Sequence, residues 1–210
     1  MSLQNKVVVL LSIVLCLIGA ADLCAQEPSP ESRSCVIGHF SLSAPEAWKP
    51  LTGSDKAATR SEFASSIAPG LGQYNRAGAP EPRMDQFEIL QKPTDAQLIG
   101  WTLIVPDQID FLKEIFKKED TQLENQKNMA GGRIKAGSCR WVKIGGLDVV
   151  RVDVEMADGG KSTNLHFWSS KNPGIITTLM LGVGAGRSAE TEKEFDSILS
   201  SIAVSDEIKK

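Results

Sequence analysis

From Val150 to Met156 the chain alternates apolar Val150, Val152, Val154 and Met156 with charged Arg151, Asp153 and Glu155. A period of two is that of a strand with one face on a core and the other polar. "ADGG" (Ala157–Gly160) follows, and Asp-Gly and Gly-Gly tolerate the positive φ angles of tight hairpin turns. A two-residue loop at Asp158-Gly159 sets Val152 opposite Leu165, and one at Gly159-Gly160 sets it opposite Phe167. Either register keeps the valines with Leu165 and Phe167 and leaves Arg151, Asp153, Glu155, His166 and Trp168 on the opposite face. "KNPG" (Lys171–Gly174) marks a second turn before "IITTLMLGV". The stretch from Arg140 to Val183 thus predicts a meander of three or four antiparallel strands.

Elsewhere the pattern is less regular. "CVIGHFSLSAPEAWKPL" alternates Phe40 and Leu42 with Ser41 and Ser43, a strand that Pro45 ends, after which Trp48 folds back as a core plug. "RMDQFEILQK" and "AQLIGWTLIVP" read as two strands on β-branched and aromatic content. Asp107 is a natural cap for a helix over 107–128, where Ile109, Leu112, Ile115, Phe116 and Leu123 recur at helical spacing. "MAGGRIKAGS" breaks that helix. Between Lys49 and Pro82 the text is rich in Gly, Ala, Ser and Pro, and the expectation is a strand near Ser61–Ile67 and a mobile loop near Pro69–Pro82. A last helix starts at Ser188 and carries Phe195, Ile198, Leu199 and Ile202 on one face.

"LGVGAGRSAETEKEF" (Leu181–Phe195) places three glycines at alternate positions before that helix. A dinucleotide loop needs a further strand and an acidic ribose partner downstream, and a P-loop needs Lys-Ser/Thr. Only a charged end, "SDEIKK", follows the helix. The glycines read as a strand-to-helix turn, with Ser188 capping and Glu190 and Glu192 at the positive helix end.

The N-terminus changes the picture of where the domain works. One cation, Lys6, precedes an apolar run from Val7 to about Ala20, then small residues: the layout of a secretory signal peptide. The run is shorter than the roughly 20 residues a membrane span needs. Cleavage is expected after Ala25; "GAA" ending at Ala21 is the rival site, and Leu23 before Cys24 argues against a lipid-modified cysteine. Residues 1–25 are thus read as a signal peptide, 26–34 ("QEPSPESRS") as a flexible tether, 35–204 as a single domain and 205–210 as a charged tail. The location is secreted or periplasmic, with no membrane anchor after processing. With 23 cations against 26 anions the net charge is −3, and cleavage removes one of each, so no electrostatic footprint for nucleic acid appears.

Candidate chemistry is sparse. Two histidines are present, His39 and His166, and the chain has no GxSxG or HExxH and no CxxC after residue 25. Asp153, His166 and a serine supply the residue types of a triad, but no sharp elbow presents the nucleophile, so no catalytic residue is assigned. Cys35, His39, Cys139 and His166 supply the types of a Cys₂His₂ zinc site, yet come from three distant parts of the chain; no metal and no cofactor is assigned. Cys35 and Cys139, each read as lying just before a strand, are expected to form a disulfide, which in the chain-entropy model contributes about 4–5 kcal/mol. Arg151, Asp153, His166 and Trp168 are the candidate binding residues. Against them stands a solvated sheet face with cross-strand ion pairs, or a Trp168 covered by a helix.

The order of features resembles the PsbP-like domains. "FSLSAPEAW" is similar to their opening strand and turn, "GGLDVVRVDVEM" with "NLHFWSS" and "GIITTLMLGV" to their central hairpins, and "EFDSILSSIAV" to their closing helix. The resemblance implies an α+β fold, a three-layer α/β/α sandwich with a central antiparallel sheet, and a role in protein binding or assembly. The expected function is a non-catalytic extracytoplasmic protein-binding or assembly-support domain, with an unknown protein partner. The alternative is a small-molecule-binding or hydrolytic site around His166.

Overall fold

The computed structural model describes residues 32–72, 83–92, 96–105, 110, 114, 123–124, 133–172 and 174–208. A seven-stranded antiparallel sheet runs in the order β3-β4-β5-β9-β8-β7-β6. Its strands are β3 (Lys49–Pro50), β4 (Arg83–Lys92), β5 (Ala96–Ile104), β6 (Ile134–Ile144), β7 (Leu147–Met156), β8 (Lys161–Trp168) and β9 (Ile175–Val183). A smaller sheet, in the order β1-β2-β10, joins β1 (Ser32–Ile37), β2 (Phe40–Pro45) and β10 (Ala203–Val204). Helix α1 spans Gly53–Gly72 and helix α2 spans Ala189–Ser201. The fold is α+β, with the large sheet covered on both faces.

On one face lie the small sheet and α2. Ile37, Phe40 and Leu42 from the small sheet and Phe195 and Ile198 from α2 bury against Leu98, Leu165, Phe167, Leu179 and Leu181. Each such side chain contributes about 1.5–3 kcal/mol on leaving water. The sheets approach so closely at Gly100 that a Cβ there would lie 2.5 Å from Ile37 Cδ1. Trp48 is the expected plug: it is fully buried, its N–H bonds Pro45 O at 2.9 Å, and its Nε1 donates to Glu194 Oε2 of α2 at 2.9 Å. On the other face Phe63 of α1 packs edge-on against Trp101, ring centroids 4.6 Å apart, and Leu123, helical among the described residues, packs on Val150, Val152 and Val154.

The meander β6–β9 forms as the alternation predicts, but its register does not. Val150 pairs with His166 and Val152 with Asn164. The hairpin loop has three residues, Ala157, Asp158 and Gly159, closed by Met156 N–H to Gly160 O at 2.8 Å and by Gly159 at φ 93°. That single extra residue flips every side chain of one strand relative to the other. The valines therefore share a face with His166 and Trp168, and Arg151, Asp153 and Glu155 share one with Leu165, Thr163 and Lys161.

Further differences are local. The expected strand at Ser61–Ile67 is part of α1, where Ser65 Oγ bonds Ser61 O and Thr59 Oγ1 bonds Asp55 O, the back-bonding of short polar side chains on a helix. α1 also takes in residues 69–72 of the expected loop, and the remainder lies outside the described residues. Of the helix expected over 107–128, Asp110, Glu114, Leu123 and Glu124 are helical; its Asp107 cap lies outside the described residues, as does the signal segment. β6 begins at Ile134, inside the expected break, and β1 at Ser32, inside the expected tether. The expected tail is tied down: Ser205 N–H bonds His39 O at 2.8 Å, and Asn172 Nδ2 donates to Asp206 O at 3.1 Å. The glycine turn before α2 is as expected, with Ser188 Oγ accepting from Thr191 N–H at 3.1 Å.

Candidate functional site

A cleft of about 430 Å³ lies between α2 and the strands β6, β7 and β8. Ala136, Ser138, Arg151, Asp153 and Thr163 line its sheet side, and Glu192, Phe195, Asp196 and Leu199 its helix side. Alternation along β7 brings Arg151 and Asp153 here, and the three-residue hairpin loop places Thr163 directly opposite Asp153.

Asp153 is the hub. Its carboxylate accepts from Arg151 Nε (2.9 Å to each oxygen), from Arg140 Nη2 at 2.9 Å and from Thr163 Oγ1 at 2.7 Å. Four donor contacts from three side chains occupy the acceptor sites of the carboxylate. Ser138 Oγ accepts from Arg140 Nη1 at 2.9 Å. At the helix side Glu192 pairs with Lys161 and, at 3.3 Å, with Arg187, and these hydrogen bonds hold its carboxyl below the usual range. Arg187 Nη1 also donates to Gly159 O at 2.8 Å and Gly184 O at 3.1 Å, fastening the β7–β8 hairpin to the glycine turn. At the rim, Lys135 hydrogen-bonds Glu155 at 2.8 Å, raising the lysine's pKa and lowering the glutamate's.

Of the four residues expected to bind, Arg151 and Asp153 stand together in this cleft. His166 and Trp168 stand on the opposite face of the sheet, a correction forced by the register. His166 Nδ1 lies 3.0 Å from Thr178 Oγ1, and burial pushes its pKa down to about 4, so the ring is neutral near pH 7. Trp168 meets Trp141 edge to face at 5.5 Å, and both pack with Leu123 against the cluster of Val150, Val152 and Val154.

Cys35 and Cys139 do not form a disulfide. Cys35 packs with the small-sheet core and Cys139, in mid-strand on β6, with the valine cluster, so the large sheet stands between them. Burial raises the pKa of the Cys35 thiol. His39 belongs to the small-sheet side, with Nδ1 2.8 Å from Thr177 Oγ1. The four residues with zinc-ligand chemistry are therefore divided between the two faces, and no group of three or more His, Cys, Asp or Glu among the described residues is placed to hold a metal ion.

Sequence reasoning missed Arg140, Thr163 and Arg187. Thr163 becomes visible only once the loop is known to have three residues. Arg140 needs the β6–β7 register, which sets it opposite Arg151. Arg187 had a local signal, a cation at the end of a glycine turn beside an acidic first helical turn.

No family model and no curated protein matches this chain. Among solved structures it is similar to the solution structure of cyanobacterial PsbP (CyanoP) from Synechocystis sp. PCC 6803, at 13% identity, covering 89% of this chain and 100% of that one, with a TM-score of 0.45. A likeness at that score carries no argument, and the architecture rests on the strands, registers and contacts described above.

Proposed function

We propose that this chain is a PsbP-like, non-catalytic domain that works outside the cytoplasm and binds a protein partner through the cleft between α2 and β6–β8. The engagement of Asp153 carries the reading: Arg140, Arg151 and Thr163 all bond this cleft carboxylate, which makes it a scaffold that holds two guanidinium groups in place. Arginine held by a carboxylate, partly exposed and flanked by apolar Phe195 and Leu199, is the kind of anchor that protein interfaces use. The layout of residues 1–25 supports export. Around His166, the centre of the alternative reading, Trp168 shares the face while Arg151 and Asp153 lie on the other.

The test is a photo-crosslinking residue in place of Asp196, on the exposed helix side of the cleft, with Ser54 on α1 as control, in cells exporting the protein. A discrete adduct from position 196 alone is expected. Equal labelling from both positions, or a hydrolytic activity lost in a folded His166→Ala variant, overturns the proposal.

A further inference from the structure

The two ends of the large sheet are built differently. β3 has two residues, one of them Pro50, and a proline on a short edge offers little for another strand to pair with. β6 at the other end has eleven residues, and among the described residues no strand pairs with its outer side. It carries Lys135, Arg140 and Lys143 and no anion, in a chain whose anions outnumber its cations by 26 to 23. Each cation leans inward onto a β7 carboxylate: Lys135 on Glu155 at 2.8 Å, Arg140 on Asp153 at 2.9 Å, Lys143 on Asp148 at 2.8 Å. The three cationic side chains are 64%, 48% and 65% exposed. The Lys135–Glu155 and Lys143–Asp148 pairs, exposed on both partners, are worth about 0–1 kcal/mol, so an incoming carboxylate exchanges with them at small cost, while Arg140 stays on Asp153.

We propose that β6 is a docking edge at which an extended acidic segment of the partner protein adds as an eighth strand. The inference rests on the binding role proposed above and names the chemistry of the partner. Backbone pairing supplies attachment, and side chains at every second position supply selectivity. Ala136 and Ser138 are small and border the cleft that ends at Arg151, and on the other face Gly137 makes room for Leu123, whose Cδ1 would lie 2.6 Å from a Cβ there. Acids on that face of the added strand meet Arg140 and Lys135. The same charges argue against a second copy of this chain, since two β6 edges side by side bring cation against cation.

The test uses the wild-type protein and a labelled six-residue peptide of alternating Val and Glu, read by fluorescence anisotropy. Its comparators are the Val-Lys counterpart and the Val-Glu peptide N-methylated at every second amide in either phase. Saturable, salt-weakened binding of the Val-Glu peptide is expected, with at least about tenfold weaker binding of the Val-Lys peptide and of one N-methylated phase. Changing Lys135→Glu, Arg140→Glu and Lys143→Glu together is expected to reverse the preference, with circular dichroism checking the fold. No saturable binding of the acidic peptide overturns the proposal. So does equal binding of both N-methylated phases, which leaves attraction without strand pairing. An adduct at position 196 together with no peptide binding removes the docking edge and leaves the binding role standing.

Discussion

His39 and His166 rest against neighbouring threonines of one strand, on opposite faces of the sheet. Thr177 and Thr178 are consecutive in β9 and so point opposite ways. His39 Nδ1 lies 2.8 Å from Thr177 Oγ1 and His166 Nδ1 lies 3.0 Å from Thr178 Oγ1. The bonds are alike, but the surroundings are not. His39 sits in the β1–β2 turn, edge-on to Phe167 at 5.1 Å, and bridges the small sheet to the large one with its Nε2 buried and unpartnered. His166 lies mid-strand, paired with Val150 within one sheet. The first histidine is a fastener between layers and the second a member of a packed face.

The comparison breaks most visibly at Phe167, one residue from His166 but on the His39 side. Phe167→Ala empties a site that His39 and Phe40 both touch, and should cost about 3–5 kcal/mol in urea denaturation. A loss below about 1 kcal/mol would show that the sheets are not fastened there.

Acid should come next. The pKa of folded His166 is near 4, below its ordinary 6.5, so the unfolded chain takes up a proton first as the pH falls. Stability is full above about pH 6.5 and declines toward about pH 4, by on the order of 2–3 kcal/mol from this group. Burial lowers the His39 pKa too, in part opposed by the Asp206 charge, and its contribution has the same sign. Denaturation curves at about pH 7 and about pH 4.5 should converge most in His166→Gln and less in His39→Gln. An unchanged slope in His166→Gln would place the buried proton acceptor elsewhere.

A smaller effect separates the two sites cleanly. Gly38 has φ 56°, and a Cβ there would lie 2.5 Å from Thr177 Oγ1 and Thr102 Cγ2. Gly38→Ala should cost about 1–3 kcal/mol and shift the imidazole NMR signals of His39 while those of His166 stay in place. Smallest of all, Thr177→Val should cost about 1 kcal/mol and Thr178→Val less, since Thr177 Oγ1 also accepts from His39 N–H at 3.4 Å. Equal losses would mean that this longer bond contributes nothing.

By itself the sequence determined what short-range chemistry controls. Alternation marked β2 and β7, β-branched and aromatic content marked β4 and β5, turn residues set off β8 and β9, and the Ser188 cap with its acidic first turn marked α2, because period, composition and capping are legible within a few residues. The burial of Trp48 was legible too, from an aromatic just past a strand-ending proline. Only the tertiary structure decided which side chains meet. One residue in the Ala157–Gly159 loop moved His166 and Trp168 away from Arg151 and Asp153, and the large sheet keeps Cys35 from Cys139. The helix at Gly53–Gly72 also escaped, since its Ala, Ser and Gly carry little periodic contrast and its side chain Phe63 is placed by Phe87 and Trp101 on distant strands. Face and neighbour depend on register parity and long-range packing, and a local pattern of apolar and polar residues reads the same in either register.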